Sequence, residues 1–276
     1  MTRIALFQSN TGIDPAENGA ALVAAIGEAA GGDATMLFSP EMSGLLDRDS
    51  RRAAANLRVE EEDQVLAACR AAAKKHGIWV HLGSLAVLVG DGKVANRGFV
   101  IDRNGNIQAR YDKIHLFDVD LPTGESWRES AVYRAGEKSV VVNGTPVGKL
   151  GLTICYDLRF PTLFARLAEA DADLISVPAA FTVPTGKAHW HTLLRARAIE
   201  AGLFVVAAAQ VGHHADGRNT FGHSLVVDPW GEVLLDMGEE GQGVGFADVD
   251  LKRISDVRSR IPALNHRRPI PDAVSL

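Results

Sequence analysis

Three residue types that together can attack a carbonyl occur where the sequence turns out of a strand. Cys155 is one of only two cysteines in the 276-residue chain. It lies in Gly148–Pro161, GKLGLTICYDLRFP. The apolar run Leu150–Ile154 reads as a buried strand, and Pro161 suits the first turn of a helix. A cysteine at a strand-to-helix turn exposes its sulfur at the strand end, and the following helix N-terminus favours the thiolate. A buried structural thiol is the competing reading, because free cysteine packs as a small hydrophobe. Glu41 follows the strand Ala34–Phe38, and Lys113 follows the strand Ile107–Tyr111. In open α/β sheets, active sites gather at the C-terminal ends of strands. There a carboxylate can take a thiol proton, a thiolate can attack a carbonyl, and an ammonium can stabilise the oxyanion. Taken singly, Glu41 reads equally well as a loop carboxylate, and Lys113 as one arm of a surface pair with Asp112 or Asp118.

The elements that must position these residues follow a repeating order. The first half reads as strand Arg3–Gln8, a helix opened by Asp14-Pro15 and running over Asn18–Ala30, strand Ala34–Phe38, helix Asp63–His76 and strand Ile78–Leu88. A hairpin then joins Arg97–Asp102 to Ile107–Tyr111 across Arg103-Asn104-Gly105-Asn106. Lys113–Thr145 is long and mostly irregular, a kind of loop that is usually functional. The second half reads as strand Leu150–Ile154, helix Pro161–Ala170, strand Leu174–Val177, helix Trp190–Ala201, strand Leu203–Gln210 and a hairpin of His223–Val227 with Glu232–Leu235. DATMLFSPEMSG pairs with DADLISVPAAFT, GIWVHLGSLAV with GLFVVAAAQVG, and RGFVIDRNGNI with GHSLVVDPWGEV. The chain is an internal duplication. Each half predicts a mixed sheet with helices on one face. Burying the two open faces against each other gives an α/β fold, an α-β-β-α sandwich of two mixed sheets with pseudo-twofold symmetry, in a single domain over 1–276. Ile254–Pro262 begins as a short helix or turn, and the tail 262–276, Pro-containing and aperiodic, is expected to pack on a partner subunit or fray.

Composition excludes several classes. The chain is 46% hydrophobic and 23% charged with a formal net charge of −5, so there is no electrostatic case for nucleic acid or an anionic membrane. Two cysteines exclude a disulfide framework and a Cys-rich zinc site. The apolar start Ile4–Phe7 is too short for a signal-peptide core, and no segment reaches the roughly 18 apolar residues of a membrane span. The expectation is a cytoplasmic protein.

PEMSG around Glu41, YDKIHLFD around Lys113 and CYDLRFP around Cys155 resemble the Glu–Lys–Cys signature of the nitrilase superfamily of carbon–nitrogen hydrolases. TGKAHWHTLLRARAIE (Thr185–Glu200), FGHS (Phe221–Ser224), VDPWGEV (Val227–Val233) and HRRP (His266–Pro269) extend the resemblance over almost the whole chain. It implies the same sandwich fold. It also implies Glu41 as general base, Lys113 as oxyanion stabiliser and Cys155 as nucleophile. A second site glutamate is implied in the loop after the lysine, with Glu129 preferred and Glu125 the rival. The backbone N–H of Tyr156 would complete the oxyanion site, and Ala180, Phe181 and Thr182 would form a substrate wall. No metal or organic cofactor is implied. AAAQVGHH, GHSLVVDPWG and HRRP are most similar to the small amidases of α-keto-acid amides. Deaminated-glutathione amidases are favoured and ω-amidases acting on α-ketoglutaramate come next. The implied reaction is amide hydrolysis through a cysteinyl thioester, releasing ammonia or the amine. An acyltransferase using the same acyl-enzyme, or a catalytically silent interaction protein, are the alternatives. The resemblance also implies a homodimer or higher homo-oligomer, with the Pro161–Ala170 helix and the tail as its contacts.

Other residues carry weaker signals. Cys69, in an Ala-rich helix, reads as packing. His213-His214 invites a metal reading, but GHHADGRN has no HExxH or Cys spacing, and a loop near the active-site mouth is preferred. Asp157 and Arg159 are expected to brace the nucleophile turn by hydrogen bonding. His189, Trp190 and His191 are expected at a helix start, in core or cleft packing. His266-Arg267-Arg268 reads equally as a partner-subunit contact or a solvated tail.

Overall fold

The computed structural model describes residues 1–120, 124 and 126–275. The chain opens with β1 (Thr2–Gln8), in which Ile4 and Leu6 face one core and Ala5 and Phe7 the other. Burial on both faces explains why the strand reads as an unbroken apolar run. The Asp14 side chain accepts from Ala16 N at 2.8 Å and caps α1 (Pro15–Gly31), with Pro15 in its first turn. Then come β2 (Met36–Phe38), a short α2 (Ser50–Asn56) that the sequence patterns do not reveal, and α3 (Gln64–His76). Asp63 caps α3, and Gly77 closes it in the left-handed conformation (φ 65°). β3 (Trp79–Leu88), β4 (Val94–Ile101) and β5 (Ile107–Asp112) complete the first run.

The stretch expected to be irregular holds three strands: β6 (Asp118–Asp120) and β7 (Ser126–Arg128), which form a small ribbon, and β8 (Val140–Thr145). The second run is β9 (Gly148–Leu152), α4 (Pro161–Glu169), β10 (Leu174–Ser176), α5 (Val183–Ala201) and β11 (Phe204–Ala207). A ribbon of β12 (Val211–His213) and β13 (Asn219–Phe221) follows, then the hairpin β14 (Leu225–Val227) and β15 (Val233–Asp236). β16 (Gly243–Val249) and α6 (Lys252–Arg260) end the ordered elements.

Two six-stranded mixed sheets result, in the orders β16-β1-β2-β3-β4-β5 and β15-β14-β11-β10-β9-β8. In each, the three inner strands β1-β2-β3 or β9-β10-β11 run parallel and the flanking strands antiparallel. The duplication therefore persists in the sheet order. It also persists in detail: Asp33 and Asp171, equivalent positions, both adopt φ 62°. Asp102 and Asp228 cap their hairpins alike, each accepting two backbone N–H groups on one carboxylate oxygen. Each sheet's outer antiparallel strand breaks the simple repeat. β8 lies next to its partner β9 in sequence, whereas β16 returns from the far end of the chain to pair with β1 from Thr2↔Val249 to Gln8↔Gly243.

The inner faces meet in one core, where Ile4, Leu6, Met36 and Phe38 of the first sheet pack with Leu150, Leu152 and Leu174 of the second. α1 and α3 cover the outer face of the first sheet, and α4 and α5 that of the second. His81 of β3 is buried in this interior, with Nε2 at 3.4 Å from Ser176 Oγ and no partner for Nδ1. Burial pushes its pKa down to about 3.

The expected start of one helix is corrected. α5 begins at Val183, seven residues before the expected Trp190, because Pro184 and Gly186, residues that discourage helix in a sequence reading, sit in its first turn. Gly186 is required there, since a Cβ would lie 2.2 Å from the Phe221 ring. His189, Trp190 and His191 are thus inside the helix, with Trp190 fully buried and its Nε1 donating to His223 O at 2.8 Å. The tail cation Arg267 is paired within its own chain, with Glu169 Oε1 at 3.1 Å and Ala165 O at 3.3 Å. Among the described residues, no helix is long and apolar enough to cross a membrane.

Candidate active site

Cys155 follows β9 at φ 48°, a left-handed conformation uncommon for a residue with a Cβ. Two contacts hold the turn. Cys155 N donates to Pro178 O at 2.9 Å. The buried Asp157 carboxylate accepts from Ile154 N at 2.9 Å, Tyr111 OH at 2.7 Å and His115 N at 3.0 Å, with His115 Nδ1 at 2.6 Å. Asp157 therefore braces the turn as expected. The element after Cys155 is a single 3₁₀ turn, Cys155–Arg159, and α4 starts only at Pro161. Arg159 departs from its expected bracing role. Its guanidinium lies over the rings of Tyr156 (5.9 Å) and Phe181 (5.4 Å) and meets His189 Nδ1 at 3.2 Å.

The residues from distant strands converge on the thiol. Glu41, just past β2, Lys113, just past β5, and Cys155 are all buried, with Lys113 only 2% exposed. Lys113 Nζ donates to Glu41 Oε1 at 2.9 Å and to Glu129 Oε2 at 2.9 Å. Glu129 also accepts from Phe117 N at 2.6 Å, which fixes its carboxylate against the loop after Lys113. Glu129 thus lies beside Lys113 as a second carboxylate; its rival, Glu125, lies outside the described residues.

Asn96 is the residue that the sequence patterns miss. It lies on β4 and its Nδ2 donates to Glu41 Oε1 at 2.9 Å and Glu129 Oε1 at 3.2 Å, linking the two carboxylates. Its Oδ1 is buried without a partner among the described residues. The only signal available was a polar amide inside a mostly apolar strand, where Asn is disfavoured.

The electrostatics fit a neutral thiol beside a charged lysine. Burial opposes the Lys113 charge, but the carboxylates of Glu129 and Glu41 outweigh it and hold the ammonium well above its ordinary pKa. The Cys155 thiol is pushed well above its ordinary value by burial first and then by the Glu41 charge, against the pull of Lys113. The expectation of a thiolate favoured by a helix N-terminus is corrected on both counts: the helix is displaced to Pro161, and burial beside a carboxylate dominates. The proton on sulfur has an acceptor at hand in Glu41, whose Oε2 is itself oriented by Ala180 N at 3.0 Å.

A cavity of about 360 Å³ opens over this cluster. Tyr156, Ala180, Phe181 and Thr182 all line it, together with Arg159. That volume suits a small organic molecule. The histidine pair does not reach it as a pair. His214 is buried, with Nδ1 at 2.9 Å from Thr11 O and Nε2 at 2.7 Å from Thr220 Oγ1, so both ring nitrogens are occupied. His213 is exposed beside Asn219. The two flank the β12–β13 ribbon, whose Asn219 and Thr220 line the cavity. Cys69 is buried in α3, and burial pushes its pKa up to about 12, as befits a packing thiol.

Comparison with known proteins agrees with this arrangement. The family model described as carbon-nitrogen hydrolase matches residues 3–259. A Dictyostelium discoideum protein named deaminated glutathione amidase is 46% identical over 200 residues, which cover 71% of this chain and 68% of that protein. The Bos taurus protein of the same name is 38% identical over 277 residues, covering 96% and 82%. The crystal structure of the Caenorhabditis elegans NitFhit protein superposes with a TM-score of 0.89 at 38% identity, covering 97% of this chain and 65% of that one. Saccharomyces cerevisiae Nit3, of the nitrilase superfamily, superposes with a TM-score of 0.86 at 28% identity, covering 97% and 96%. The chain therefore belongs to the carbon-nitrogen hydrolase family, as a hydrolase of carbon–nitrogen bonds other than peptide bonds.

Proposed function

We propose that the chain hydrolyses the amide of a small α-keto-acid amide through a Cys155 thioester, with deaminated glutathione as the preferred substrate and α-ketoglutaramate as the next. The observation that carries this reading is the buried Glu41–Lys113–Glu129 cluster around a neutral Cys155 thiol. Glu41 takes the thiol proton as Sγ attacks the amide carbon. An ammonium has three donors; Glu41 and Glu129 engage two of those on Lys113, which leaves one for the developing oxyanion. The Tyr156 N–H, at the start of the 3₁₀ turn, is its second donor. Glu41 returns the proton to the departing amine, and the C–N bond breaks. It then takes a proton from the water that attacks the thioester, and the sulfur leaves and is reprotonated. Asn96 and Glu129 hold Glu41 and Lys113 in register. Arg159, with no carboxylate partner among the described residues, faces the carboxylate of the keto-acid end. The chemistry uses side chains and water alone, in a reducing, cytoplasmic setting that keeps Cys155 a thiol.

The names of the amidase relatives support the substrate. The test is release of amine or ammonia from deaminated glutathione, α-ketoglutaramate, glutamine and a simple nitrile, with wild type and Cys155→Ala side by side. Turnover of the keto-amides that vanishes in the variant is expected; no turnover of any of them by folded protein sinks the substrate. Self-association belongs to the same reading: Ile270 and Val274 of the tail are 88% and 80% exposed, as a segment seated on a second subunit would be in an isolated chain. A monomer by light scattering would overturn that part.

A further inference from the structure

The cavity extends away from Cys155 along a row of aromatic rings. Tyr156, beside the nucleophile, meets Phe117 edge-on at 5.1 Å, and Phe117 meets Trp127 of β7 at 6.3 Å. At the outer end, two guanidinium groups lie over the Trp127 ring, that of Arg48 at 5.7 Å and that of Arg218 at 5.0 Å. All of these residues line the cavity.

The charges and donors at this corner are unequally satisfied. Arg218 is paired with Asp216 at 2.7 Å, and Asp216 also accepts from Arg48 N at 2.9 Å. Asp47, the other acid nearby, is paired with Arg52 at 2.6 Å. The Arg48 guanidinium has no carboxylate partner among the described residues, so the corner carries an excess positive charge. The Trp127 Nε1–H is buried and donates to nothing among the described residues. A buried donor left unpaired is costly, and a ligand oxygen that reaches it relieves that cost. A fixed indole N–H beside an unpaired guanidinium is a carboxylate-binding arrangement.

We propose that the Arg48–Trp127–Arg218 corner binds a carboxylate carried on the amine side of the scissile amide. The substrate class is then N-substituted amides whose amine portion is a short peptide with a free C-terminus, in preference to primary amides. This rests on the amidase reading above and deepens it. Deaminated glutathione, glutathione with its amino group replaced by a keto oxygen, has such an amine portion; α-ketoglutaramate has the same acyl end and only ammonia to release.

The experiment measures kcat/KM for three amides of the same keto acid: deaminated glutathione, its C-terminal carboxamide and α-ketoglutaramate. Wild type is compared with Arg48→Met and with Trp127→Phe, which keeps the ring but removes the donor. In Arg48→Met the preference for deaminated glutathione over α-ketoglutaramate is expected to fall by 10- to 100-fold, chiefly through KM, on the order of one or two decades as for a charged hydrogen bond. Trp127→Phe lowers the same ratio by roughly 5- to 10-fold. The carboxamide is expected to lose the wild-type preference and to respond little to Arg48→Met. A preference that stays constant across all three proteins overturns the proposal. Titration of Cys155→Ala with deaminated glutathione reads the same corner without turnover. If the substrate assignment fails but binding weakens on Arg48→Met, the corner stands; binding that ignores the substitution removes it.

Discussion

Ser9, at the end of β1, occupies in the first repeat the place that Cys155 holds at the end of β9 in the second, as the parallel registers Leu6↔Phe38 and Leu152↔Ser176 require. The backbones match and the chemistry does not. Around Ser9 every group is neutral and satisfied: its hydroxyl donates to Gln210 Oε1 at 3.1 Å and contacts Thr11 Oγ1 at 3.1 Å, and Gln210 Nε2 donates to Thr11 Oγ1 at 2.7 Å. Around Cys155 stand two carboxylates and a lysine, with Cys155 itself in a strained conformation. The same contrast holds at β2 and β10, where Glu41 answers to Ala179. Duplication supplied two strand-end clefts, and only one became reactive; the other serves it. Gln210 Nε2 also donates to Glu41 O at 3.0 Å, so the quiet end anchors the backbone of the proposed general base.

Four measurements break or sharpen that contrast. Cys155→Ala is expected to lower kcat on the keto-amides by at least about 10⁴-fold, the scale of losing a nucleophile. Adding Ser9→Cys to that variant should restore nothing, because Ser9 has no carboxylate–lysine pair beside it; recovered hydrolysis would mean that the two ends are interchangeable. The next test concerns His81, whose place in the second repeat is Val206. The folded pKa of His81 is depressed to about 3 from 6.5. The unfolded chain therefore takes up a proton below pH 6.5 that the folded chain refuses. Stability is fully present above pH 6.5 and drains as pH falls toward 3, by about 5 kcal/mol in all. His81→Val should flatten that acid limb in denaturant titrations at pH 7 and pH 4; an unchanged slope would show that the imidazole is not the acid-sensitive group. Asn96→Leu removes the tie between Glu41 and Glu129 and should cost roughly 10²-fold in kcat with a displaced pH–rate profile, whereas a loss in Tm alone would reduce Asn96 to packing. The smallest effect is Ser9→Ala, about 1 kcal/mol for a buried hydrogen bond, read as a drop of a few degrees at most in Tm.

The strand–helix alternation and the paired motifs made the sandwich legible, because the inner strands are buried on both faces and carry continuous apolar runs. Glu41 and Cys155 were legible because each stands where such a run stops, and Lys113 because it follows the hairpin strand β5. Asn96 was not, since its meaning depends on the register that places β4 between β3 and β5. α5 was begun late because Pro184 and Gly186 look like breakers, whereas the proline sits in the first turn and the glycine makes room for Phe221. β16 went unread because its partner is β1, at the opposite end of the sequence, and pairing over that separation leaves no local pattern. Trp127 and Arg48 carry no motif at all; only the cavity brings them together.

That same strand has a consequence for how the protein is made. β1 leaves the ribosome before the neighbour on its open edge, Gly243–Val249, which is synthesised more than 230 residues later. At about 5–20 residues per second, Ile4–Phe7 waits on the order of ten seconds or more with an unpaired edge. The first sheet can close only after most of the second has been translated. A nascent chain stalled before β16 presents a sticky apolar strand to its neighbours, so the quality of this fold is decided late in synthesis.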